Sequence, residues 1–226
     1  MIHPEHQRRA YLQAMGIDVW LPRDAAEPDA AAVEPVGPAA EDLDWNELEQ
    51  RVTNCTRCAL ATSRTNTVFG VGDQNADWMI IGEAPGADED RSGEPFVGRA
   101  GMMLDEMLRA IGLRRDAAFI ANILKCRPPH NRDPEPSETA ECRAYLERQI
   151  ALVRPKIILA VGKVAAQSLL QTDEPVGRIR GRAHELNGIP LIVTYHPAYL
   201  LRSPSHKRDS WSDLCMARGL LSGAAA

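Results

Sequence analysis

The sequence predicts an α/β protein built on a parallel sheet with helices on both faces. Amphipathic patterns predict helices in GMMLDEMLRAIG, SETAECRAYLERQIALV and GKVAAQSLLQ. Four apolar runs have the length and composition of buried strands: WMIIGE (78–83), FIANIL (119–124), KIILAVG (156–162) and PLIVTYH (190–196). Continuous apolar strands that alternate with amphipathic helices are typical of a covered parallel sheet.

Length and composition are those of a globular protein with one substantial core. The 226 residues are 44% hydrophobic and 25% charged, close to the average for soluble domains. The sequence has no apolar run long enough to span a bilayer, and its N-terminus lacks the apolar segment of a signal peptide. We therefore expect a cytoplasmic protein with no membrane partner.

The N-terminal part is predicted to be separate from the globular domain, which begins at residue 43 and extends to 226. Residues 1–21 have the pattern of a short amphipathic helix. Residues 22–42 are rich in Ala, Pro and acidic residues, which predicts a flexible linker. A docking tail for a partner protein is the alternative. A helix through Trp45, Leu48 and Val52 should open the globular domain.

The net charge of -5 is concentrated in the N-terminal part. Residues 1–45 hold three Arg against nine Asp and Glu, whereas the rest of the chain holds 23 basic and 22 acidic residues. The body of the protein is therefore nearly neutral and can present a basic face to phosphate groups.

The carboxyl ends of the strands carry the candidate ligand site, because ligands of open α/β sheets bind there. Gly82 and Glu83 follow the first strand, Gly162 the third and His196 the fourth. The loop GEAPGADED combines a turn with a carboxylate that is suited to activating water or stabilising a cation. A tight turn with solvated acids is the structural alternative.

Phe96 and Asn122 are candidates for contact with a nucleobase. Phe96 lies in the Gly- and Pro-bounded segment GEPFVG, where it either stacks on a base or anchors the loop in the core. Asn122 interrupts an apolar strand, and a buried amide must find partners. It either caps a neighbouring loop or pairs with the edge of a base, since an amide offers a donor and an acceptor in one plane.

The segment TYHPAYLLRSPSHKR is a candidate DNA-binding element. A lone histidine at a strand end is more often structural, but His196 shares its sheet edge with Glu83. We expect Leu200 and Leu201 to be exposed and to insert as a wedge into the base stack. Arg202 would then contact phosphates.

Four cysteines predict a metal centre, because cysteines in a reducing cytoplasm more often bind metal than form disulfides. Cys55 and Cys58 form a C-x2-C pair, and fifteen residues separate Cys126 from Cys142. Zinc sites prefer two close pairs, so the wider spacing favours an iron–sulfur cluster. Unrelated free thiols are the third interpretation, and Cys215 is expected to be free.

Several ordered motifs between residues 45 and 215 resemble the family 4 uracil-DNA glycosylases. They are GEAPGADED, EPFVGRAGMMLDEML, NILKCRPPHNRDP, HPAYLLR and the four cysteines. The resemblance implies a three-layer α/β/α sandwich on a four-stranded parallel sheet and a [4Fe-4S] cluster. It also implies a monofunctional hydrolase that removes uracil from DNA in base excision repair. Uracil-containing DNA would then be the partner of a monomeric enzyme.

The resemblance implies a role for each candidate residue. The four cysteines become the cluster ligands, Glu83 the catalytic carboxylate and His196 the group that stabilises the departing base. Phe96 becomes the stacking platform, and Asn122 reads the uracil edge. The backbone of residues 82–84 would also contact uracil.

The sequence departs from the best-known uracil-DNA glycosylases at two positions of this loop. Ala84 stands where those enzymes carry a water-activating Asp, so that role is expected to fall to Glu83. Further candidates for it are Asp88, Glu89 and Asp90. Gly86 stands where they carry an aromatic residue that blocks the thymine methyl group. Thymine exclusion is then expected from Glu89 or Phe96.

Two other functions remain alternatives at this point. One is a uracil-DNA-binding module that is non-catalytic or traps DNA covalently. The covalent branch uses a histidine in an inserted basic loop, and RPPHNRDPEPS has no such insertion, although it contains His130. The other is a zinc-braced nucleotide-binding protein. Residues 1–42 are a candidate docking segment for a repair protein.

Overall fold

The computed structural model describes residues 40–223. The predicted N-terminal helix at 1–21 and most of the linker at 22–42 lie outside the described residues. The helices are α1 (Trp45–Thr53), α2 (Ala87–Ser92), α3 (Arg99–Ala110), α4 (Pro136–Val153), α5 (Lys163–Leu170), α6 (Val176–Ile179), α7 (Pro197–Arg202) and α8 (Lys207–Leu221). The strands are β1 (Val71–Gly72), β2 (Trp78–Gly82), β3 (Ala118–Asn122), β4 (Ile157–Val161), β5 (Ala183–Leu186) and β6 (Ile189–Thr194).

The strands form one mixed sheet of six in the order β1-β3-β2-β4-β6-β5. The four central strands are the four apolar runs of the sequence, and they are parallel. The prediction of a four-stranded parallel sheet describes only this central part, because β1 and β5 add antiparallel edges and make the sheet six-stranded and mixed. Both edge strands are short and partly exposed, so they have no continuous apolar pattern.

β5 and β6 form a hairpin, and the turn between them is an Asn-Gly dipeptide. Asn187 and Gly188 connect the two strands with φ values of 51° and 83°. Two consecutive positive φ angles are required by a type I′ turn, for which Asn-Gly is a preferred pair. This hairpin was not predicted, although the turn signal was present.

The sheet is covered on both faces, as the alternation of strands and helices predicts. Met79 and Ile81 face the layer that contains α4, α5 and α6. Their neighbours Trp78 and Ile80 face the layer that contains α3, α7 and α8. Alternate residues of a strand point to opposite faces, so a strand covered on both sides must be apolar throughout.

The predicted helices agree with the structure to within a few residues at their ends. The three amphipathic patterns are α3, α4 and α5, and the helix through Trp45, Leu48 and Val52 is α1. Asp44 and Glu47 form a capping box that begins α1. Among the described residues, no helix is long and apolar enough to cross a membrane.

The strand register brings the candidate residues to one edge of the sheet. Gly82 at the end of β2 is paired with Asn122 at the end of β3. On the other side, β4 ends beside β6, where Val161 pairs with Thr194. Glu83, Asn122 and His196 therefore leave the sheet at the same edge.

Candidate active site

A cleft of about 720 Å³ opens at the carboxyl ends of the parallel strands. Its lining comes from the loops after β2, β3, β4 and β6 and from the segment before α3. The residues that sequence reasoning selected and that line this cleft are Glu83, Ala84, Gly86, Glu89, Phe96, Asn122, Gly162, His196 and Arg202. Segments distant in the chain therefore converge on one space.

The inner part of the cleft depends on the missing side chain at Gly82. A Cβ atom there would lie 2.4 Å from Asn122 Oδ1 and 2.6 Å from Cζ of the Phe96 ring. The amide and the ring can approach the end of β2 this closely only because the backbone is bare. Gly82 thus lies close to both groups, although it does not itself line the cleft.

The Asn122 side chain is buried, and its carbonyl oxygen is left without a donor among the described residues. It is 2% exposed, and within residues 40–223 its Oδ1 atom has no hydrogen-bond partner. A buried acceptor that lacks a donor costs about 1–3 kcal/mol. A ligand that offers an N–H group at this point would recover that free energy, so the amide is suited to binding rather than to capping a loop.

Phe96 is held in a strained backbone conformation at the side of the cleft. Its φ of 55° is unusual for a residue other than glycine. The start of α3 packs directly behind it, since a Cβ atom at Gly101 would lie 1.7 Å from the Phe96 carbonyl oxygen. The ring stacks against the His196 imidazole with centroids 5.8 Å apart and planes inclined by 29°. Such strain persists where the surroundings enforce it, often at binding sites.

His196 is oriented by the backbone of the helix that it begins. Its Nδ1 atom accepts a hydrogen bond from the Ala198 amide at 3.1 Å. Burial lowers the pKa of His196 to about 4, and the Arg202 charge acts in the same direction. The ring is therefore neutral at physiological pH, and because Nδ1 is an acceptor its proton lies on Nε2. Gly162 makes room for it, since a Cβ atom there would lie 2.9 Å from His196 Cβ.

Glu83 lies at the cleft with a strongly perturbed carboxyl group. Burial raises its pKa to about 7, and repulsion from Asp133 adds to this, whereas Lys163 opposes it. Its carbonyl oxygen accepts a hydrogen bond from the Leu124 amide at 3.1 Å, which ties the loop to the exit of β3. A carboxyl group with a pKa near neutrality is suited to general base catalysis.

The three acidic residues that follow Glu83 have different environments. Asp88 is exposed and forms an ion pair with Arg91. Asp90 is buried and accepts a hydrogen bond from the Thr65 amide at 2.9 Å. Among the three, Glu89 alone lines the cleft.

The expected wedge of two leucines needs a correction. Leu200 is fully buried in the core against one face of the sheet, so the prediction that it is exposed is wrong. Helix α7 turns this side chain inward, and the next residue, Leu201, is 39% exposed. Arg202 lines the cleft, so only Leu201 and Arg202 are available to DNA.

The four predicted cluster ligands lie together beside the active-site loop. Cys126 and Cys142 are buried in a small apolar cluster, against which Cys58 and Ala84 pack. Cys58 and Cys55 both influence the titration of Cys126. Within residues 40–223, no three His, Cys, Asp or Glu side chains are close enough for a single metal ion.

Two basic residues, Lys125 and Arg64, lie near the cysteines. Lys125 is 1% exposed, and its Nζ atom donates to the Asn122 carbonyl oxygen at 2.9 Å and to Gln149 Oε1 at 2.6 Å. In the described part of the chain it has no carboxylate partner. Arg64 Nη1 donates to Cys126 Sγ at 3.1 Å. Burial lowers the pKa of Lys125 to about 7, and an adjacent anion would favour its charged form, so this donor set fits an anionic iron–sulfur cluster.

Sequence reasoning missed several residues of the site. Lys163 directly follows Gly162, so the strand-end rule that selected Gly162 would have found it. Asp133 acts on Glu83 from a Pro-rich loop, where no periodic pattern points to it. Tyr195 and Tyr199 line the cleft, whereas His130 is exposed and is absent from the cleft lining.

Comparisons with known proteins agree with this geometry. A family model described as "Uracil DNA glycosylase superfamily" matches residues 69–216. A type-4 uracil-DNA glycosylase of Archaeoglobus fulgidus is 42% identical over 181 residues, covering 76% of this chain and 90% of the relative. One from Thermotoga maritima is 43% identical and covers 71% of this chain and 84% of the relative. A type-5 uracil-DNA glycosylase of Pyrobaculum aerophilum is 28% identical, with coverage of 69% and 83%.

The perturbed titration of Glu83 gives a direct prediction. The pKa of this carboxyl group, measured by carbon NMR, should be about 7 instead of the usual 4.5. Asp133→Asn should lower it by removing repulsion, and Lys163→Gln should raise it. Asp116→Asn, at an exposed ion pair with Arg114, should leave it unchanged. A wild-type pKa near 4.5 would contradict the assignment.

Proposed function

Because the chain belongs to the type-4 uracil-DNA glycosylases of the uracil-DNA glycosylase superfamily, we propose that it hydrolyses the N-glycosidic bond of deoxyuridine in DNA. The products are free uracil and an abasic site, as base excision repair requires. The observation that carries this function is the buried side chain of Asn122, whose Oδ1 atom has no hydrogen-bond partner within residues 40–223. It lies beside the bare backbone of Gly82 and the ring of Phe96.

Recognition of the base rests on the amide of Asn122. The target nucleotide must leave the helix stack, which costs a few kcal/mol and less at a mismatch. Asn122 Oδ1 accepts the N3–H of uracil, and its Nδ2 donates to O4. Cytosine presents the opposite donor and acceptor pattern, which would leave the buried amide unpaired. Phe96 provides a flat surface for the base.

Cleavage separates charge between the sugar and the base. The electron pair of the bond between C1′ and N1 moves into uracil, which departs as an anion, and positive charge develops on the sugar. The neutral His196 imidazole donates from Nε2 to uracil O2, because its Nδ1 atom is engaged with the Ala198 amide. A fixed donor of this kind stabilises charge that develops in the transition state.

The attacking water needs a proton acceptor, and we assign this role to Glu83. The water oxygen forms the new bond to C1′, and its proton passes to the Glu83 carboxylate. With a pKa of about 7, the carboxylate is available near neutral pH and is basic enough to take the proton. Its negative charge also stabilises the cationic sugar.

Contact with DNA outside the base pocket is assigned to the segment after His196. Leu201 is exposed and provides an apolar wedge for the space that the flipped base leaves. Arg202, at the cleft, provides a positive charge for the adjacent phosphate. Leu200 is excluded from the wedge by its burial.

We assign a [4Fe-4S] cluster to Cys55, Cys58, Cys126 and Cys142. When bound, the cluster would supply a negatively charged cross-link between these segments rather than a chemical step. Ala84 packs against the cysteine cluster, and Lys125 connects its surroundings to the Asn122 carbonyl oxygen. The cluster would thus brace the loop of Glu83 and the strand of Asn122.

No observation favours a non-catalytic or covalently trapping DNA-binding module. The histidine that raised the second possibility, His130, is exposed and does not line the cleft as Glu83 and His196 do. A monomeric state and a repair-protein partner for residues 1–42 stay predictions.

Loss of either catalytic group should slow base release strongly while DNA binding survives. Glu83→Ala and His196→Ala should each lower the single-turnover rate by about 10²–10³, as measured by cleavage of abasic sites in a uracil-containing oligonucleotide. The wild-type rate should rise with pH through about 7, as Glu83 loses its proton. Glu94→Gln, at an exposed position, is the control. Near wild-type excision by both variants would contradict the assignment.

The cofactor assignment predicts colour and iron. Protein purified without oxygen should be brown, with broad absorbance near about 400 nm and iron bound by the four cysteines. Cys126→Ser should lose iron and absorbance, whereas Cys215→Ser should retain both. A colourless protein that contains stoichiometric zinc would instead support the zinc alternative.

A further inference from the structure

The carboxylate of Glu89 joins two loops that are separate in sequence. Its Oε2 atom accepts a hydrogen bond from the Gly86 amide at 3.1 Å. Its Oε1 atom accepts from the Val97 amide at 3.1 Å and from the Gly98 amide at 3.3 Å. One side chain thus connects the loop after β2 with the segment that precedes α3.

These contacts go beyond the ordinary capping of a short helix. Glu89 is the third residue of α2 and closes a capping box with Gly86, a common local motif. A capping residue needs only the contact with Gly86, yet the second oxygen reaches Val97 and Gly98 outside the helix. Glu89 also lines the cleft.

Both loops contribute residues to the lining of the proposed base pocket. Gly86 belongs to the loop that carries Glu83, and Val97 directly follows Phe96. Phe96 has a φ of 55°, a conformation that needs support from its surroundings. Helix α3 supports its carbonyl side, and Glu89 holds the next amide. The distance between the carboxylate loop and the stacking ring therefore depends on Glu89.

The local sequence is adapted to this arrangement. A Cβ atom at Gly86 would lie 2.7 Å from Glu89 Oε2. A larger residue at position 86 would push the carboxylate away from the Gly86 amide. The glycine thus permits the contact on which both loops depend.

We propose that Glu89 is a positioning residue for uracil excision, which fixes the Glu83 loop and the Phe96 ring in their relative places through three backbone amides. This inference rests on the proposed function. It assigns Glu89 no contact with the reacting atoms, so it differs from a role in activating water. Small displacements of reacting groups can lower a rate about 100-fold. We expect the loss of Glu89 to slow excision in this way, by displacing Glu83 and Phe96.

The test compares Glu89→Ala, Glu89→Gln and Glu94→Ala in the full-length protein with its cofactor. The single-turnover rate of uracil excision should fall about 10- to 100-fold in Glu89→Ala. The rate should fall less in Glu89→Gln, because the amide oxygen of Gln can still accept hydrogen bonds from Val97 and Gly98. Its NH2 group would face the Gly86 amide, and two donors cannot form a hydrogen bond. Glu94→Ala removes one exposed acidic side chain between the same loops and should excise normally.

Nitrogen–proton NMR of the same proteins reports the contacts directly. The amide protons of Gly86, Val97 and Gly98 should lie downfield in the wild type and move upfield in Glu89→Ala. In Glu89→Gln, the largest shift should be that of Gly86. Iron content and affinity for uracil-free DNA should remain within about twofold of the wild type, since neither depends on a well-placed pocket.

Two outcomes would overturn the inference. Excision by Glu89→Ala within threefold of the wild type would show that the loops keep their places without the carboxylate. Unshifted amide signals in Glu89→Gln would show that the contacts are absent. Because Gln is close in shape to Glu, this variant also serves as the test if Glu89→Ala does not fold. If the wild type itself released no uracil, the proposed function would fail instead.

Discussion

The close approach of Asn122 and Phe96 to the bare backbone of Gly82 is the constraint on which the rest of the site depends. The parallel pairing of β2 with β3 places Gly82 opposite Asn122, and no Cβ atom separates them. Phe96 enters the same space and stacks on His196, which in turn needs the missing side chain of Gly162. Two glycines at strand ends therefore permit the amide, the ring and the imidazole to share one pocket.

Burial at this sheet edge also determines the chemistry of the ionisable groups. It raises the pKa of Glu83 and lowers that of His196, since both groups lose favourable hydration of their charged forms. The result is a base that titrates near neutral pH and a histidine that stays neutral. In the mechanism that we propose, a neutral donor toward the departing base and a carboxylate toward the sugar match the charges that bond cleavage produces.

The sequence predicted those parts of the fold and the site where neighbouring residues follow a regular hydrophobic pattern. The central strands and main helices could be predicted because burial imposes a period of two or 3.6 residues. The edge strands could not, since their exposed faces lack that pattern. Glu83, Asn122 and His196 could be located because strand ends converge. Leu200 was misplaced because its burial depends on how α7 packs. The hydrogen bonds of Glu89 to backbone amides depend on loop geometry, which a periodic sequence pattern does not reveal.

If the pocket exists because position 82 lacks a side chain, Gly82→Ala should destroy it. Its Cβ atom would meet both Asn122 Oδ1 and the Phe96 ring. We expect a folded protein with the iron content of the wild type, whose single-turnover excision of uracil falls at least about 100-fold. Gly112→Ala strains a positive φ without meeting any neighbour and should excise normally. Excision by Gly82→Ala at a rate within a few-fold of the wild type would show that the pocket does not depend on the missing side chain at position 82.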